Sequence, residues 1–270
     1  MSNVIISYPD YTINAFLSGG TWRPEAPLLN LQDRTLSHVA RSADALATST
    51  IIQVNLGLSS PSISMISLCA HNISASGTIR VRGFSDAGYT TVVTDTGTVN
   101  AWPVGFTAQN VSDYPKNWTF CFPAAIPAQY WKVEIIDTGN AAGYVEIGRC
   151  WFGNATFTPA TGVSYGMTNG YTSRDVIEES LGGVSWGEKR VPRRALVAKF
   201  DVLTTAEKRQ AIMLQKVLTE TSEAFWISNA LASADDMLLE AFPCFLSKPS
   251  ALTYPYYNNY ELPISIIERV

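Results

Sequence analysis

The sequence predicts a mainly β protein, with an N-terminal β-sandwich or jelly roll and a C-terminal α+β domain in which one amphipathic helix packs on a sheet. Three observations support this fold class. Short runs of alternating apolar and polar residues recur through the first ~150 positions, as in strands with one buried and one solvated face. Turn-forming Gly, Pro, Asn and Asp separate these runs. A capped helical pattern occurs only in the second half.

The first part of the chain contains a series of short predicted strands. The clearest of them are 51–57, 64–70, 77–83, 131–135 and 145–151. Residues 64–70 are almost continuously apolar, as expected of an interior strand, whereas the other runs alternate. About seven short strands without a long helix favour a β-sandwich or jelly roll.

Proline and glycine mark a boundary between the two predicted domains. Pro159 and Gly162 interrupt the strand pattern shortly after the last run of the first part. A length of 270 residues is compatible with two domains. We therefore predict a β-sandwich over 1–156 and an α+β domain over 157–270.

The helix of the second domain has a local start signal. Thr204 and Glu207 form a capping-box pattern, in which each side chain can bond the other residue's backbone N–H. Ala211, Leu214 and Leu218 follow at helical spacing, which predicts an amphipathic helix that ends near residue 220.

Strands are predicted on both sides of this helix, at 194–200, 224–228, 242–246 and 263–270. Pro243 cannot donate a backbone hydrogen bond, which favours an edge position for its strand. The last strand is expected to pair within the fold or with a neighbouring subunit.

Composition and charge exclude several classes of protein. Charged residues make up 16% and hydrophobic residues 46% of the chain, which favours a packed globular protein. The net charge is −4, and the one dense basic cluster spans 189–194, so nucleic acid is not an expected partner. A surface turn or salt bridges account better for this cluster. No run approaches the ~20 apolar residues of a membrane helix, and no secretory signal is visible, so we expect synthesis in the cytoplasm without membrane insertion.

Cysteine and histidine patterns indicate no reaction centre. The four cysteines form no CxxC pair and lie in apolar stretches, so buried free thiols are expected, although a disulfide stays open. His38 and His71 have no nucleophile-elbow context and are expected to be structural. Two histidines and scattered cysteines do not predict zinc. We expect no cofactor, no metal and no catalytic residue.

Two acidic doublets are candidates for a catalytic pair. Glycosidases need two carboxylates that face each other across a sugar. The doublets 178–179 and 235–236 are adjacent in sequence, so their side chains diverge on a strand or a helix. Surface charge is the better interpretation. A hydrolase built from distant acids remains an alternative without positive support.

Aromatic residues in loop-like sequence are the remaining functional signal. Trp22 and Trp102 lie near Pro24 and Pro103, and an exposed loop tryptophan can stack on the apolar face of a sugar or anchor an interface. Both are candidate carbohydrate-binding residues.

A tyrosine-rich segment near the C-terminus is the second aromatic signal. Its members are Tyr254, Tyr256, Tyr257 and Tyr260. Tyrosines in a loop that contains Pro and Asn suit an interface. The alternative is a covered hairpin with its hydroxyls directed outward.

The first part resembles galactose-binding-like (discoidin-type) jelly rolls. The resemblance lies in the strand segments 53–57, 66–72, 77–82, 130–135 and 147–153. It implies a module that binds carbohydrates, lipids or proteins through loops at one end. Those loops vary within the family, so no ligand residue is transferred.

The second part resembles the attachment domain of siphophage distal-tail or baseplate proteins. The resemblance lies in 193–200, the capped helix from 203, the aromatic strand 225–227 and the final segment 262–270. It implies subunits that form rings by pairing strands. The family's ring-forming domain usually comes first, whereas here the jelly roll precedes it.

These resemblances lead to a main functional hypothesis and two alternatives. The main hypothesis is a structural component of a phage tail tip or baseplate, located in the virion, whose partners are other tail proteins and copies of itself. The first alternative is a carbohydrate-binding adhesin module that recognises a host surface glycan. The second is a hydrolase whose catalytic acids are distant from each other in sequence.

Overall fold

The protein is mainly β, as predicted: strands account for 47% of the chain and helices for 13%. The computed structural model describes residues 4–57, 61–248, 251–257 and 259–270. The strands are β1 (Ile5–Asp10), β2 (Phe16–Ser18), β3 (Ala40–Arg41), β4 (Ile51–Asn55), β5 (Ser62–Cys69), β6 (Thr78–Phe84), β7 (Val92–Asn100), β8 (Asn117–Pro127), β9 (Tyr130–Ile136), β10 (Glu146–Ile147), β11 (Arg149–Phe157), β12 (Thr168–Thr172), β13 (Val176–Glu179), β14 (Ser185–Glu188), β15 (Arg193–Leu203), β16 (Glu223–Ile227), β17 (Ala241–Lys248), β18 (Thr253–Tyr256) and β19 (Asn259–Glu268). The α-helices are α1 (Ala108–Asp113), α2 (Thr205–Val217) and α3 (Ala234–Glu240).

The chain divides into two compact units. The sandwich unit comprises 7–155 and 229–241, and the α/β unit comprises the described residues of 1–6 together with 156–228 and 242–270. The segment that contains α3 therefore belongs with the sandwich unit, although it follows the α/β segments in sequence. Whether the chain divides at 156/157 into two domains that fold independently stays a prediction.

The sandwich unit contains two antiparallel sheets with a shared core. One sheet has the strand order β2-β4-β9-β6-β7, and the other includes β11, β5 and β8. Inward residues of the first sheet, such as Ile52 and Val133, belong to the same buried cluster as Ile66 and Phe152 of the second. Neighbouring strands are distant in sequence, as in a jelly roll. The predicted sandwich is thus present.

A buried ion pair lies inside the sandwich unit. The Arg149 guanidinium donates to the Asp10 carboxylate, with 2.8 Å between Nη2 and Oδ2, and both side chains are fully buried. Asp10 also accepts from the backbone N–H of Thr12 at 2.9 Å, and the Arg149 guanidinium lies 4.8 Å from the ring centre of Trp151. Because each buried charge has an opposite charge beside it, β1 and β11 can place charged side chains in the core.

The α/β unit has the predicted helix on a sheet. Its strand order is β12-β15-β19-β17-β16, and β18 pairs with β19. Thr204 caps α2 in a reciprocal capping box with Glu207. Ala211 and Leu214 are buried on the face of α2 that lies against β15 and β19. The final strand pairs within the fold, with β15 and β17.

Two local details differ from the sequence prediction. Pro243 was expected at a sheet edge, but its strand β17 lies between β16 and β19. Pro243 still contributes a carbonyl, which accepts from the backbone N–H of Arg269 at 2.9 Å. The short helix α1 was not predicted; its capping box uses Thr107 and Asn110, a pair outside the usual Ser/Thr with Glu/Gln pattern.

The Asp10–Arg149 pair gives a first prediction. Asp10→Asn should destabilise the protein by about 3–5 kcal/mol, because it leaves the Arg149 charge buried without a counter-charge. The free energy of unfolding from urea titrations at neutral pH measures this loss. Asp95→Asn, which breaks the exposed Arg80–Asp95 pair, is the control and should cost far less. Equal losses in the two variants would contradict the structural role of the buried pair.

Candidate ligand-binding site

A cluster of charged and aromatic side chains lies on the surface of the sandwich unit. We call Arg23, Arg41, Tyr144 and Glu146 the arginine–tyrosine cluster. Arg41 and Glu146 are directly opposite each other in the two-residue antiparallel ribbon formed by β3 and β10. Since opposite residues of an antiparallel pair share one face, the ribbon places a cation next to a carboxylate.

Two guanidinium groups pack on one aromatic ring in this cluster. The guanidinium carbon of Arg41 lies 4.5 Å from the ring centre of Tyr144, and that of Arg23 lies 5.2 Å from it. Arg41 Nε also donates to Glu146 Oε1 at 2.5 Å. The Arg41 side chain is 35% exposed and that of Glu146 is 22% exposed. The cluster is therefore ordered by cation–π and ionic contacts and remains open to solvent.

Hydrogen bonds between side chains and backbone groups hold the loops next to the cluster. The Asn72 amide donates to the Tyr144 carbonyl at 3.1 Å and accepts from the Glu146 N–H at 2.7 Å. The Ser42 hydroxyl accepts from the Val145 N–H at 2.8 Å. These contacts join three chain segments, so the cluster is pre-organised rather than carried on a free loop.

A double-glycine turn brings Trp22 and Arg23 to the cluster. Gly20 has φ +62°, and a Cβ there would lie 2.5 Å from the Ser49 carbonyl oxygen, so only glycine fits. Trp22 then forms a bridge with Ser42. The Trp22 indole N–H donates to the Gly19 carbonyl at 3.1 Å, and the side chain is half-buried. The predicted residue Trp22 therefore directly precedes Arg23 of the cluster, and its ring packs against the core of the sandwich unit.

The exposure predicted for Trp102 is wrong. Its side chain is only 2% exposed, and its indole N–H donates to the Ile73 carbonyl at 2.8 Å. The ring lines a cavity of about 100 Å³ together with Trp118 and Leu238, which is smaller than the ~300–1,000 Å³ of typical small-molecule sites. The neighbouring Pro103 suggested a surface loop, but the ring folds back into the core.

The two histidines occupy opposite environments. His71 is 1% exposed; its Nδ1 accepts from the Ile73 N–H at 3.3 Å, and its ring packs edge-on against Trp102 at 5.2 Å. Burial, together with the Lys116 charge, lowers the pKa of His71 to about 3. His38 is exposed and its Nδ1 lies 2.7 Å from Asp33 Oδ2. In the described part of the chain, no hydroxyl or thiol hydrogen bonds to His38.

The predicted interface tyrosines separate into exposed and buried members. Tyr254, Tyr256 and Tyr257 are 62%, 77% and 94% exposed. Tyr260 is 6% exposed and packs edge-on against Tyr254, with ring centres 5.1 Å apart. The segment is a hairpin of β18 and β19, in which Tyr260 faces the protein and the other rings face solvent. The interface role of these residues stays a prediction.

The cysteines are all free, as the sequence favoured: Cys69, Cys121, Cys150 and Cys244. Burial raises the pKa of the Cys121 thiol to about 12 and also raises the pKa of the Cys150 and Cys244 thiols well above their usual value. A thiol in such a site is a poor nucleophile because the thiolate is the reactive form.

Other candidate features have structural explanations. In the basic cluster, Arg190 pairs with Glu188 and Arg194 pairs with Glu268, in agreement with the salt-bridge interpretation. Within the described ranges, no group of three or more His, Cys, Asp or Glu side chains is placed to hold a metal ion. No helix among the described residues is long and apolar enough to span a membrane.

Sequence reasoning missed the arginine–tyrosine cluster itself. Arg41 and Glu146 are 105 positions apart, and neither lies in a recognisable motif. Their proximity results from the pairing of β3 with β10. Strands of two residues are too short to show an alternating pattern in the sequence. Only Trp22, through its loop context, pointed to this surface.

Comparisons with known proteins found similar structures but no similar sequences. No family model matches the chain, and no curated protein matches it. The family 32 carbohydrate-binding module of Clostridium perfringens NanJ, in complex with galactose, has a TM-score of 0.41 and 18% identity, covering 56% of this chain and 100% of its own. The AlyQ family 32 module, in complex with 4,5-unsaturated mannuronic acid, has a TM-score of 0.37 and 17% identity, covering 54% of this chain and 96% of its own. A Streptococcus pneumoniae fucose-binding module has a TM-score of 0.37 and 6% identity, covering 54% and 97%. At these values the likeness shows neither a ligand nor an activity for this chain.

The buried His71 gives a prediction of pH dependence. The unfolded chain takes up a proton near pH 6.5, whereas folded His71 does so only near pH 3, so its contribution to stability is present at neutral pH and is lost as the pH falls through this window. The slope should approach ~1.4 kcal/mol per pH unit. His71→Phe should reduce the loss of unfolding free energy between pH 6.5 and pH 5 in urea titrations. His38→Phe is the control and should retain it; equal pH profiles for His71→Phe and the unsubstituted protein would contradict the assignment.

Proposed function

We propose that this protein is a non-catalytic glycan-binding protein whose ligand contacts the arginine–tyrosine cluster and Trp22. The observation that carries the proposal is the packing of the partly exposed Arg23 and Arg41 side chains on Tyr144, whose carbonyl accepts a hydrogen bond from Asn72.

The chemistry of the cluster suits a saccharide. Guanidinium N–H groups donate to hydroxyl or carboxylate oxygens of a sugar, and the Glu146 carboxylate accepts from sugar hydroxyls. The half-buried ring of Trp22 offers an apolar surface on which the C–H face of a pyranose can stack. Two cations beside one carboxylate favour a neutral or acidic sugar over a basic one. Rigid loops reduce the entropy cost of binding.

The same groups do not suit hydrolysis. A glycosidase places two carboxyl groups on either side of the scissile bond. Glu146 supplies one carboxylate to the cluster, and that carboxylate is already engaged by Arg41. The cluster therefore has the donors and acceptors of a binding site without an acid–base pair.

A second candidate function is assembly with further copies of this chain, and the hairpin of β13 and β14 favours it. This hairpin forms a sheet of only two strands, so both outer edges are unpaired within the described part of the chain. Ile177, Leu181 and Trp186 on it are 75%, 112% and 62% exposed. Unpaired strand edges with exposed apolar side chains are suited to β-strand addition.

Charge supports head-to-tail pairing of such hairpins. Glu178 and Glu179 lie on β13, whereas Lys189 follows β14. An acidic edge that meets the basic end of the next subunit would give a heterologous contact, which closes into a ring when the rotation permits. We propose on this basis a structural role in a phage tail or baseplate in the virion, with other tail proteins as further partners.

The glycan proposal is tested by a glycan array with the whole protein, followed by calorimetry on the best ligand. Arg41→Gln should weaken binding by about tenfold, because a charge-assisted hydrogen bond contributes roughly 1.5–3 kcal/mol. Trp22→Ala should also weaken it. Arg80→Gln, which removes another surface arginine of the same unit, should leave affinity unchanged. Absence of binding to every glycan, or an Arg41→Gln variant with unchanged affinity, would refute the proposed site.

The assembly proposal is tested by light scattering during size-exclusion chromatography. The unsubstituted protein should elute as an oligomer at micromolar concentration, and Trp186→Glu should shift it to monomer by placing a charge in the contact. Val104→Glu alters an 89% exposed valine elsewhere and should leave the mass unchanged. A strictly monomeric unsubstituted protein would argue against assembly through this hairpin.

A further inference from the structure

Three arginines lie close together at one end of the sheet of the α/β unit. Arg193 is directly opposite Thr172 in the β12–β15 pair. The β15–β19 register, in which Ala195 is opposite Ile267, continues to place Arg193 opposite Arg269. Arg174 follows Thr172 by two residues. Adjacent strands therefore bring three guanidinium groups to one region of the surface.

This region is on the outward face of the sheet. Buried residues alternate with partly exposed ones along β15, and Arg193 belongs to the partly exposed set whereas Arg194 belongs to the buried set. Arg194 pairs with Glu268 on the opposite face. The neighbouring arginines 193 and 194 thus have different roles: one is matched inside the unit, and the other faces outward.

The outward arginines repel one another. Burial is the main cause that lowers the pKa of Arg193; the charges of Arg174 and Arg269 lower it further, and the charge of Glu268 partly opposes them. Arg193 Nε is buried and has no hydrogen-bond partner among the described residues. Like charges opposite each other in a sheet are destabilising, so an arrangement of this kind is favourable only with a counter-charge.

The neighbouring carboxylates supply only part of that counter-charge. Glu223 Oε1 lies 3.2 Å from Arg269 Nε, and Glu268 is engaged by Arg194. In the part of the chain that the structure describes, neither Arg174 nor Arg193 forms an ion pair. Two guanidinium groups therefore remain available to an external anion.

We propose that Arg174, Arg193 and Arg269 form a binding site for a divalent tetrahedral oxyanion, phosphate or sulfate. Guanidinium groups bind such oxyanions through paired, charge-assisted hydrogen bonds. A dianion with four oxygens can contact three guanidinium groups at once and offset their repulsion. The anion is either a free ion or an ester group on a partner molecule. This site is separate from the proposed glycan surface and does not depend on it.

The test compares thermal unfolding of the whole protein in phosphate and in chloride at equal, low ionic strength. Phosphate should raise the Tm, since a ligand that binds only the folded state stabilises it. Arg193→Gln should abolish this rise, and without phosphate it should not lower the Tm, because it removes a repulsive charge. A merely structural arginine would lower the Tm when replaced.

Calorimetry with inorganic phosphate supplies the second measurement. Arg174→Gln and Arg193→Gln should each weaken binding by about tenfold, whereas Arg209→Gln, on the exposed face of α2, should not. Phenyl phosphate distinguishes the sources: equal affinity indicates an ester-binding site, and binding of inorganic phosphate alone indicates a free-ion site. An identical Tm in phosphate and chloride, or equal weakening by Arg209→Gln, would overturn the proposal.

Discussion

Antiparallel pairing places directly opposite residues on the same face of a sheet, and both surface clusters of this protein follow from that constraint. In the sandwich unit it sets Arg41 against Glu146. In the α/β unit it sets Arg193 next to Thr172 and, by continuation of the register, next to Arg269. The geometry of the paired strands therefore determines which side chains face the core and also which charged side chains lie next to each other.

The two clusters differ in how their charges are balanced. Arg41 has a carboxylate partner and an aromatic ring, so its geometry is set before any ligand arrives. Arg193 has neighbouring cations, and its Nε has no hydrogen-bond partner among the described residues, so the proposed anion would offset part of this charge. A pre-organised polar surface favours selective binding, whereas an excess of like charge favours any anion of suitable shape. The two proposed sites therefore differ in kind and lie on separate units.

Most thiol and imidazole side chains, which could act as nucleophiles or bases, are buried in the core. His71 and three of the four cysteines are buried, and burial moves the pKa of each group with a resolved shift away from its reactive form. The buried ion pair Asp10–Arg149 lies inside the sandwich unit, where it joins β1 and β11. The described surface carries arginines, aromatic rings and carboxylates, which are groups suited to recognition. The proposed functions are accordingly binding and assembly.

Local signals were sufficient for α2 and the longer alternating strands, and insufficient for α1, for the two-residue strands and for the site. The Thr204–Glu207 capping box predicts α2 because all its partners lie within one turn, and strand alternation predicts β4, β6 and β9 because its period is a property of the chain alone. Whether Trp102 is buried depends on chain segments far from it in sequence. Its loop context therefore gave a wrong prediction of exposure. Arg41 meets Glu146 across 105 positions, through strands too short to leave a pattern. Residue spacing records neighbours along the chain, but contacts between distant segments arise only when the core brings them together.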